Sequence, residues 1–382
     1  MTISKQIRIA TTSDVHLGHP RNPTESIIKN LDAHVGSDKL LSSIDVLVIA
    51  GDLYDRLLSF ASVDARLSVM WGDRLLRRCG KYDVKLLILE GTPSHDRKQS
   101  IWFTEIYEKL KKSGVKLAEM RYIQTLSIEY FEEWDANILF LPDEWGTSTT
   151  DALNQAKALM AEKGLDTVDF AIMHGMFDYQ LDVDIPSIPR HSSEEWLSMV
   201  EYLIFIGHVH LFSTYQRIIA QGSFDRLSQN EEGPKGFVRA VVEPDGTYTA
   251  DFIENTGAMK FVTIRPDDST LAEFIQKVRE LAKSLPDWSY IRISAPSDHP
   301  IQQGLDVFKS EFPCMNWDVH VSAKAAKITD VLAEPPPSYT PIQIDKHTLL
   351  DVMAARLEAK KYPAGIRVSG LSVLKEIREA LH

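Results

Sequence analysis

Five short stretches of the 382-residue chain put an imidazole or a carboxylate just after an apolar run. They are DVHLG from Asp14 to Gly18, GDLYD from Gly51 to Asp55, GTPSHD from Gly91 to Asp96, MHG from Met173 to Gly175, and GHVH from Gly207 to His210. Two divalent cations held about 3.5–4 Å apart need a bridging carboxylate and a mixed shell of histidines and carboxylates, the arrangement that hydrolyses phosphate esters. These stretches supply such a set. Asp14 and His16, one residue apart, can point at one cation from a single turn; Asp52 can bridge; His174 with His208 or His210 can close the opposite sides. Taken singly, Asp52 reads as a helix N-cap and each histidine as a structural or surface residue. Recurrence of the same signal at five strand ends favours a metal centre.

The elements that must position these groups follow from periodicity. QIRIATTSD, DVLVIAGD and VKLLILEG read as buried strands, each followed by a helix: TESIIKNLDAHV, SVDARLSVMWGDRLLRRCGKY and FTEIYEKLKKSG. Strands alternating with helices predict a mainly parallel or mixed sheet with right-handed connections, whose carboxyl edge gathers the site. VKLAEM, YIQTLSIEYF and ANILFLPDE then read as closely spaced strands. DFAIMHG and YLIFIGHVH each follow a helix, and STYQRIIAQGSF and GFVRAVVEPDGTYTADFIEN read as antiparallel strands, the latter turning at Asp245-Gly246. Two α/β halves facing each other across one site is the simplest assembly. From Met259 a β-α-β-α-β module begins, with no histidine–carboxylate cluster of its own. The expected domains are 1–255, carrying the chemistry; 256–332, positioning substrate or partner; a proline linker at 333–341; and an amphipathic helical segment at 342–382 that docks on a partner.

Composition narrows the classes further. At 44% hydrophobic and 25% charged residues this is an ordinary globular chain, with no apolar stretch approaching a membrane span, and a cytoplasmic location is expected. Cys79 and Cys314 stand far apart without a CxxC, which excludes a disulfide framework or zinc knuckle and leaves the metal chemistry to nitrogen and oxygen. The net charge of −12 argues against a protein that coats nucleic acid nonspecifically, though not against a nuclease. No GxxxxGK[ST] occurs, so any ATP dependence requires a separate subunit. For DNA contact, loop arginines such as Arg21, Arg56, Arg97, Arg190 and Arg226 are candidates for phosphates, and Tyr54 and Phe177 for stacking on a terminal base.

In their order, DVHLG, GDLYD, the GTPSHD turn, HG and GHVH resemble the calcineurin-like metallophosphoesterase superfamily. QGSFDRLSQNEEGPKGFV, residues 221–238, resembles the corresponding segment of SbcD-type exonucleases, the nuclease subunits of double-strand-break repair complexes. The resemblance implies a four-layer α/β/β/α sandwich with a small β-α-β-α-β capping domain and C-terminal helices. It implies Asp14, His16, Asp52 and His210 around one cation and Asp52, His174 and His208 around the other, manganese being expected and magnesium the alternative. It further implies that His95 is the catalytic histidine, oriented by Asp96, and that the chain is a homodimeric DNA exonuclease/endonuclease working with an SbcC-like ATPase gripped by the C-terminal helices. The sequence departs from the family at GTPSHD, which is two residues longer than the usual Gly-Asn-His-Asp/Glu turn and lacks its asparagine. The hydroxyl of Ser94, next to His95, or of Thr92, after Gly91, or a water is the expected replacement. The other reading of the same ligand set is a stand-alone phosphodiesterase or phosphatase for a small ester.

Overall fold

The run from Ile7 to Thr12 is buried at nearly every position. In the computed structural model, which describes residues 3–181, 188–231, 233–267 and 269–321, it forms β1 (Ile7–Thr12). The chain then alternates: α1 (Thr24–Ala33), α2 (Asp38–Leu41), β2 (Val46–Ala50), α3 (Val63–Tyr82), β3 (Lys85–Leu89), α4 (Ile101–Lys112) and β4 (Met120–Ile123). The long helix α3 shows why the sequence folds so. Ser62 caps its start by accepting the Ala65 N–H, and Trp71, Leu75, Leu76 and Cys79 share its buried stripe. The helix stops at Asp83, which is left-handed at φ 59°.

A second set follows: β5 (Ser127–Phe131), β6 (Ala136–Leu141), α5 (Thr149–Glu162), β7 (Val168–Gly175), α6 (Ser193–Met199), β8 (Val200–His208), β9 (Ser213–Tyr215) and β10 (Ile218–Ala220). The strands β11 (Gly236–Val242) and β12 (Tyr248–Glu254) form the expected hairpin and return to the first sheet, with β11 antiparallel to β1. The strand orders are β12-β11-β1-β2-β3-β4 and β5-β6-β7-β8-β10-β9. Both sheets are mixed: β1-β2-β3-β4 of the first and β6-β7-β8-β10 of the second run parallel, and β11, β12, β5 and β9 pair antiparallel at the remaining edges.

Alternation along the strands explains how both faces of each sheet are buried. Leu47, Ile49, Leu86 and Ile88 pack with Ile27, Leu31, Trp71, Leu75 and Phe103 of the first helices. Their alternates Val46, Val48, Leu87 and Leu89 pack with Ile138, Phe140, Phe170, Ile172, Leu203 and Phe205 from the other sheet. On that sheet's far side, Leu139, Leu141, Ala171, Met173, Ile204 and Ile206 meet Ala152, Ala156, Met160, Trp196 and Leu197 of α5 and α6. Each Val, Leu, Ile, Phe or Met side chain among them, fully buried, is worth roughly 1.5–3 kcal/mol.

Two sequence expectations need correction. Residues 115–119 of VKLAEM form no strand, and YIQTLSIEYF is not one strand: its first residues belong to β4, and the chain then leaves one sheet for the other before β5.

The module after Met259 is a parallel three-stranded sheet, β13 (Phe261–Ile264), β14 (Tyr290–Ala295) and β15 (Asn316–Val321), with α7 (Leu271–Ser284) and α8 (Leu305–Glu311). A capping box of Thr270 and Glu273 opens α7, and Phe274, Val278, Ile293 and Phe308 form the module's own core. All described residues fall within one compact unit, Met1–Ser322. The expected proline linker at 333–341 and helical segment at 342–382 lie outside the described residues. The chain is thus mixed α/β, with three sheets and eight α-helices among the described residues. None of those helices is long and apolar enough to cross a membrane.

Candidate metal centre

The site forms where the ends of β1, β2, β3, β7 and β8 converge. Past the regular strands, β1 and β2 stay joined: Val15 and His16 donate their N–H groups to the Asp52 carbonyl at 2.9 and 3.1 Å, and Asp14 donates to Gly51 at 3.1 Å. The continued pairing brings the turn at Asp14–His16 against Asp52. Asp14, His16, Asp52 and His208 all have positive φ, at 50°, 53°, 49° and 100°. Left-handed backbone costs a non-glycine residue about 1–2 kcal/mol, and such strain gathers at functional sites. Two glycines permit the approach of the strands. At Gly51, φ +86°, a Cβ would lie 2.1 Å from His174 Nδ1, and at Gly207 it would lie 2.4 Å from the Ala50 carbonyl oxygen.

Three groups of donors result, each with its ligand atoms within 4.8 Å of one another: Asp14, His16 and His210; Asp52, His174 and His208; and His16, Asp55 and His95. His210 Nε2 lies 3.6 Å from Asp14 Oδ1, and His174 Nε2 lies 3.4 Å from Asp52 Oδ2. The same Asp52 oxygen is 3.8 Å from His16 Nε2, and Asp14 Oδ1 is 4.0 Å from His174 Nε2. The first two groups therefore adjoin through Asp52 and Asp14.

The surrounding hydrogen bonds fix how these groups point. The Ala50 carbonyl lies 2.7 Å from His174 Nδ1 and the Glu231 carboxylate 3.0 Å from His210 Nδ1. Each oxygen takes the Nδ1–H and leaves the Nε2 lone pair facing the carboxylates. Asp14 accepts the His208 backbone N–H at 3.1 and 3.0 Å and the Ser13 hydroxyl at 2.5 Å. Asp52 Oδ1 accepts the Thr92 N–H at 2.6 Å, which leaves Oδ2 toward His16 and His174.

Buried nitrogens without hydrogen-bond partners test whether a cation fits. Both ring nitrogens of His16 and Nε2 of His174 are in this state, in the midst of carboxylates. In a folded interior such atoms are rare and call for an explanation. A divalent cation supplies one. The nitrogen–oxygen donor set suits hard-to-borderline cations, and the sulfurs lie elsewhere, Cys79 buried in the first helix-side core and Cys314 exposed.

Electrostatics agree. Burial pushes Asp52 up, but the imidazoles of His174 and His16 outweigh it and hold its carboxyl below the usual range. Burial pushes His174 down, and Asp52, Asp14 and Asp143 more than reverse this. Glu231, which burial alone would raise, is brought down to about 2 by His210 and Lys235, whose ammonium lies 2.7 Å away. The cluster is rich in buried carboxylate and draws positive charge.

His95 stands beside this cluster, its ring centroid 5.0 Å from that of His16, in a groove of about 450 Å³ also lined by His19, Arg21, Asp55 and His210. Its Nδ1 is 2.8 Å from the Asp55 carbonyl. Asp96 does not orient it: that carboxylate is fully buried and accepts the N–H groups of Tyr54 and Gly91, tying the GTPSHD turn to β2's exit. Burial, with the charges of Asp52 and Glu90, pushes Asp96 well above the ordinary carboxylate range. Ser94 is exposed, whereas Thr92 is buried with its hydroxyl 3.2 Å from Asp52 Oδ2.

The expected substrate contacts are corrected by burial. Tyr54 and Phe177 are fully buried, Tyr54 edge-on to Trp102 in one core and Phe177 in another, so neither face is open to a base. Arg226 spends its guanidinium on the carbonyls of Glu231, Gly233 and Met259. Sequence reading passed over Glu231 and Lys235, which hold His210, and Asp143, two residues past the end of β6. Asp143 had a usable signal, since it follows an apolar strand much as Asp52 does. Glu231 had none.

The chain matches no protein-family model and no curated protein. Solved structures are weakly similar to it, two of them as follows. The crystal structure of TT1561 of Thermus thermophilus is 10% identical at a TM-score of 0.35, with 64% of this chain and 98% of that chain covered. A second crystal structure is 11% identical at a TM-score of 0.36, with 65% and 99% covered. Likeness at this level identifies no family.

Proposed function

We infer that the chain is a metal-dependent phosphodiesterase that cuts DNA, a calcineurin-like metallophosphoesterase of the SbcD type. The observation that carries this reading is the position of Asp52, whose Oδ2 lies between His16 Nε2 at 3.8 Å and His174 Nε2 at 3.4 Å, so one carboxylate serves two donor groups. The three apolar clusters, helix-side, between sheets and helix-side, support the α/β/β/α layering of that superfamily.

Asp14, His16, Asp52 and His210 would hold one cation and Asp52, His174 and His208 the other. When bound, a pair of divalent cations, manganese or magnesium, activates water and offsets charge on the phosphate. The remaining steps belong to side chains. His95, with its Nδ1–H given to the Asp55 carbonyl, keeps Nε2 for the substrate and, as the imidazolium, can pass its Nε2 proton to the leaving sugar oxygen. Arg21, at the rim of the groove, can hold a phosphate oxygen. An SbcC-like ATPase bound through residues 342–382, and a homodimer, complete the proposal.

A stand-alone phosphodiesterase for a small ester is the second reading. It is favoured by a cavity of about 330 Å³ beside His208, walled by Leu141, Pro142 and Trp145, which would take a compact organic group. Side-by-side assays in manganese on end-labelled duplex DNA and a chromogenic phosphodiester separate the two. Cleavage of DNA is expected; turnover of the small ester with DNA left intact, even when an SMC-type ATPase partner is added, would overturn the nuclease reading.

A further inference from the structure

With Asp52 shared, the proposed ligand sets are uneven: Asp14, His16, Asp52 and His210 for one cation, and only Asp52, His174 and His208, beside a GTPSHD turn without a carboxamide, for the other. Asp143 reaches this poorer side. It leaves β6 at the same sheet edge from which β7 delivers His174 and β8 delivers His208. Its Oδ2 lies 3.4 Å from His208 Nδ1 and 2.9 Å from the Thr92 hydroxyl. That hydroxyl lies 3.2 Å from Asp52 Oδ2 and 3.5 Å from His208 Nδ1, and the same Asp52 oxygen is 3.4 Å from His174 Nε2.

Donors on neighbouring corners of one octahedral cation, at bonds of about 2.1 Å, sit about 3 Å apart. The Asp52–His174 and Asp143–His208 contacts, both 3.4 Å, approach such edges, and the Thr92 hydroxyl links the two carboxylates. We propose that Asp143 is a side-chain ligand of the second cation, in the place that GTPSHD leaves empty, and that the Thr92 hydroxyl spans the gap between its carboxylate and that of Asp52. This rests on the metal-centre reading above.

A plainer role exists for half of this carboxylate: Oδ1 caps its own loop by accepting the Glu144 N–H at 2.9 Å. Oδ2 has no such use. Its side chain is only 14% exposed, and among the described residues no lysine or arginine pairs with it. A carboxylate facing Asp52 across a hydroxyl that has one proton to give, with only imidazoles for counter-charge, is costly unless a cation joins them. Ser94, exposed on the same turn, is not needed as a ligand. A charged ligand in place of a neutral one also binds the cation more tightly.

The test is to strip the full chain of metal, titrate it with Mn2+, count bound equivalents, and follow the coupled two-ion signal by electron paramagnetic resonance. The wild type should bind two equivalents. Asp143→Ala should keep one and bind the second at least about tenfold more weakly, with the coupled signal lost. Asp143→Asn should fall between, and Ser94→Ala should match the wild type. Melting in chelator checks that Asp143→Ala folds; where it does not, the isosteric Asp143→Asn decides. Wild-type affinity for both equivalents in Asp143→Ala and Asp143→Asn would overturn the assignment of Asp143 while leaving the centre standing, provided Asp52→Ala loses binding. If Asp52→Ala also binds like the wild type, or the wild type binds no Mn2+, the centre fails and the assignment of Asp143 with it.

Discussion

A histidine that carries the chemistry and a histidine that carries a cation should fail differently. His95 is held by a backbone carbonyl and stands outside the Asp14 and Asp52 groups. Replacing it with alanine should leave Mn2+ affinity and melting temperature unchanged and lower turnover by about 10²–10⁴-fold; turnover at the wild-type rate would remove it from the mechanism. Glu231 should show the reverse. It accepts from His210 Nδ1 at 3.0 Å and pairs with the buried Lys235 at 2.7 Å. In Glu231→Gln, His210 loses a charged acceptor and Mn2+ should bind about 10–100-fold more weakly, measured by titration; unchanged affinity would mean that His210 does not ligate. The residues at strand ends were legible because an apolar run followed by Asp or His is a local pattern. Tyr54, Phe177 and Arg226 were misread because a local pattern does not say which way a ring or guanidinium turns. Each was claimed by packing or by carbonyls far away in sequence, as Met259 claims Arg226.

At the scale of elements, nearly all strands and helices were legible from period and caps, and the strand ends did gather the five motifs. The failure at YIQTLSIEYF is instructive. Its residues suit one continuous strand, but β4 finishes one sheet and β5 begins the other, a division made by partners rather than by propensity. Convergence of the strands makes a further claim about glycine. Gly51 and Gly114 both have positive φ, +86° and +73°, yet a Cβ at Gly51 strikes His174 Nδ1 at 2.1 Å while one at Gly114 meets nothing within 4 Å. Gly114→Ala should cost only the backbone strain of about 1–2 kcal/mol and bind Mn2+ normally. Gly51→Ala should add a clash, melt lower than Gly114→Ala, and lose the cation site that includes His174. Equal melting temperatures and equal Mn2+ binding in the two variants would contradict this account of the site.

Across the whole molecule, the segment Asp225–Arg226 ties helix α1 to the start of the last module. Asp225 accepts from Asn30 and from the N–H groups of Arg226 and Met259, and Arg226 donates to the Met259 carbonyl. Burial pushes Asp225 from 3.8 up to about 6, against those hydrogen bonds. Folding thus favours the neutral acid relative to the unfolded chain. This group's contribution to stability is complete below pH 3.8 and is lost as the pH rises through about 6. Asp225→Asn fixes the neutral state, so its stability relative to wild type should improve by up to about 3 kcal/mol between pH 4 and 7, offset at every pH by about 1 kcal/mol for the lost Asn30 bond. A difference in melting temperature that is flat across this range would mean that Asp225 is not strained. This junction was invisible in the sequence, because Asn30, Asp225 and Met259 are joined only by the fold. The central claim, that Asp52 joins two cations for phosphodiester hydrolysis, is tested most directly by cleavage of end-labelled duplex DNA with purified wild type and Asp52→Ala. The assay is run in Mn2+ and again after chelation. Cutting by the wild type that vanishes both in Asp52→Ala and on chelation is the predicted result; cutting that survives either change would contradict it.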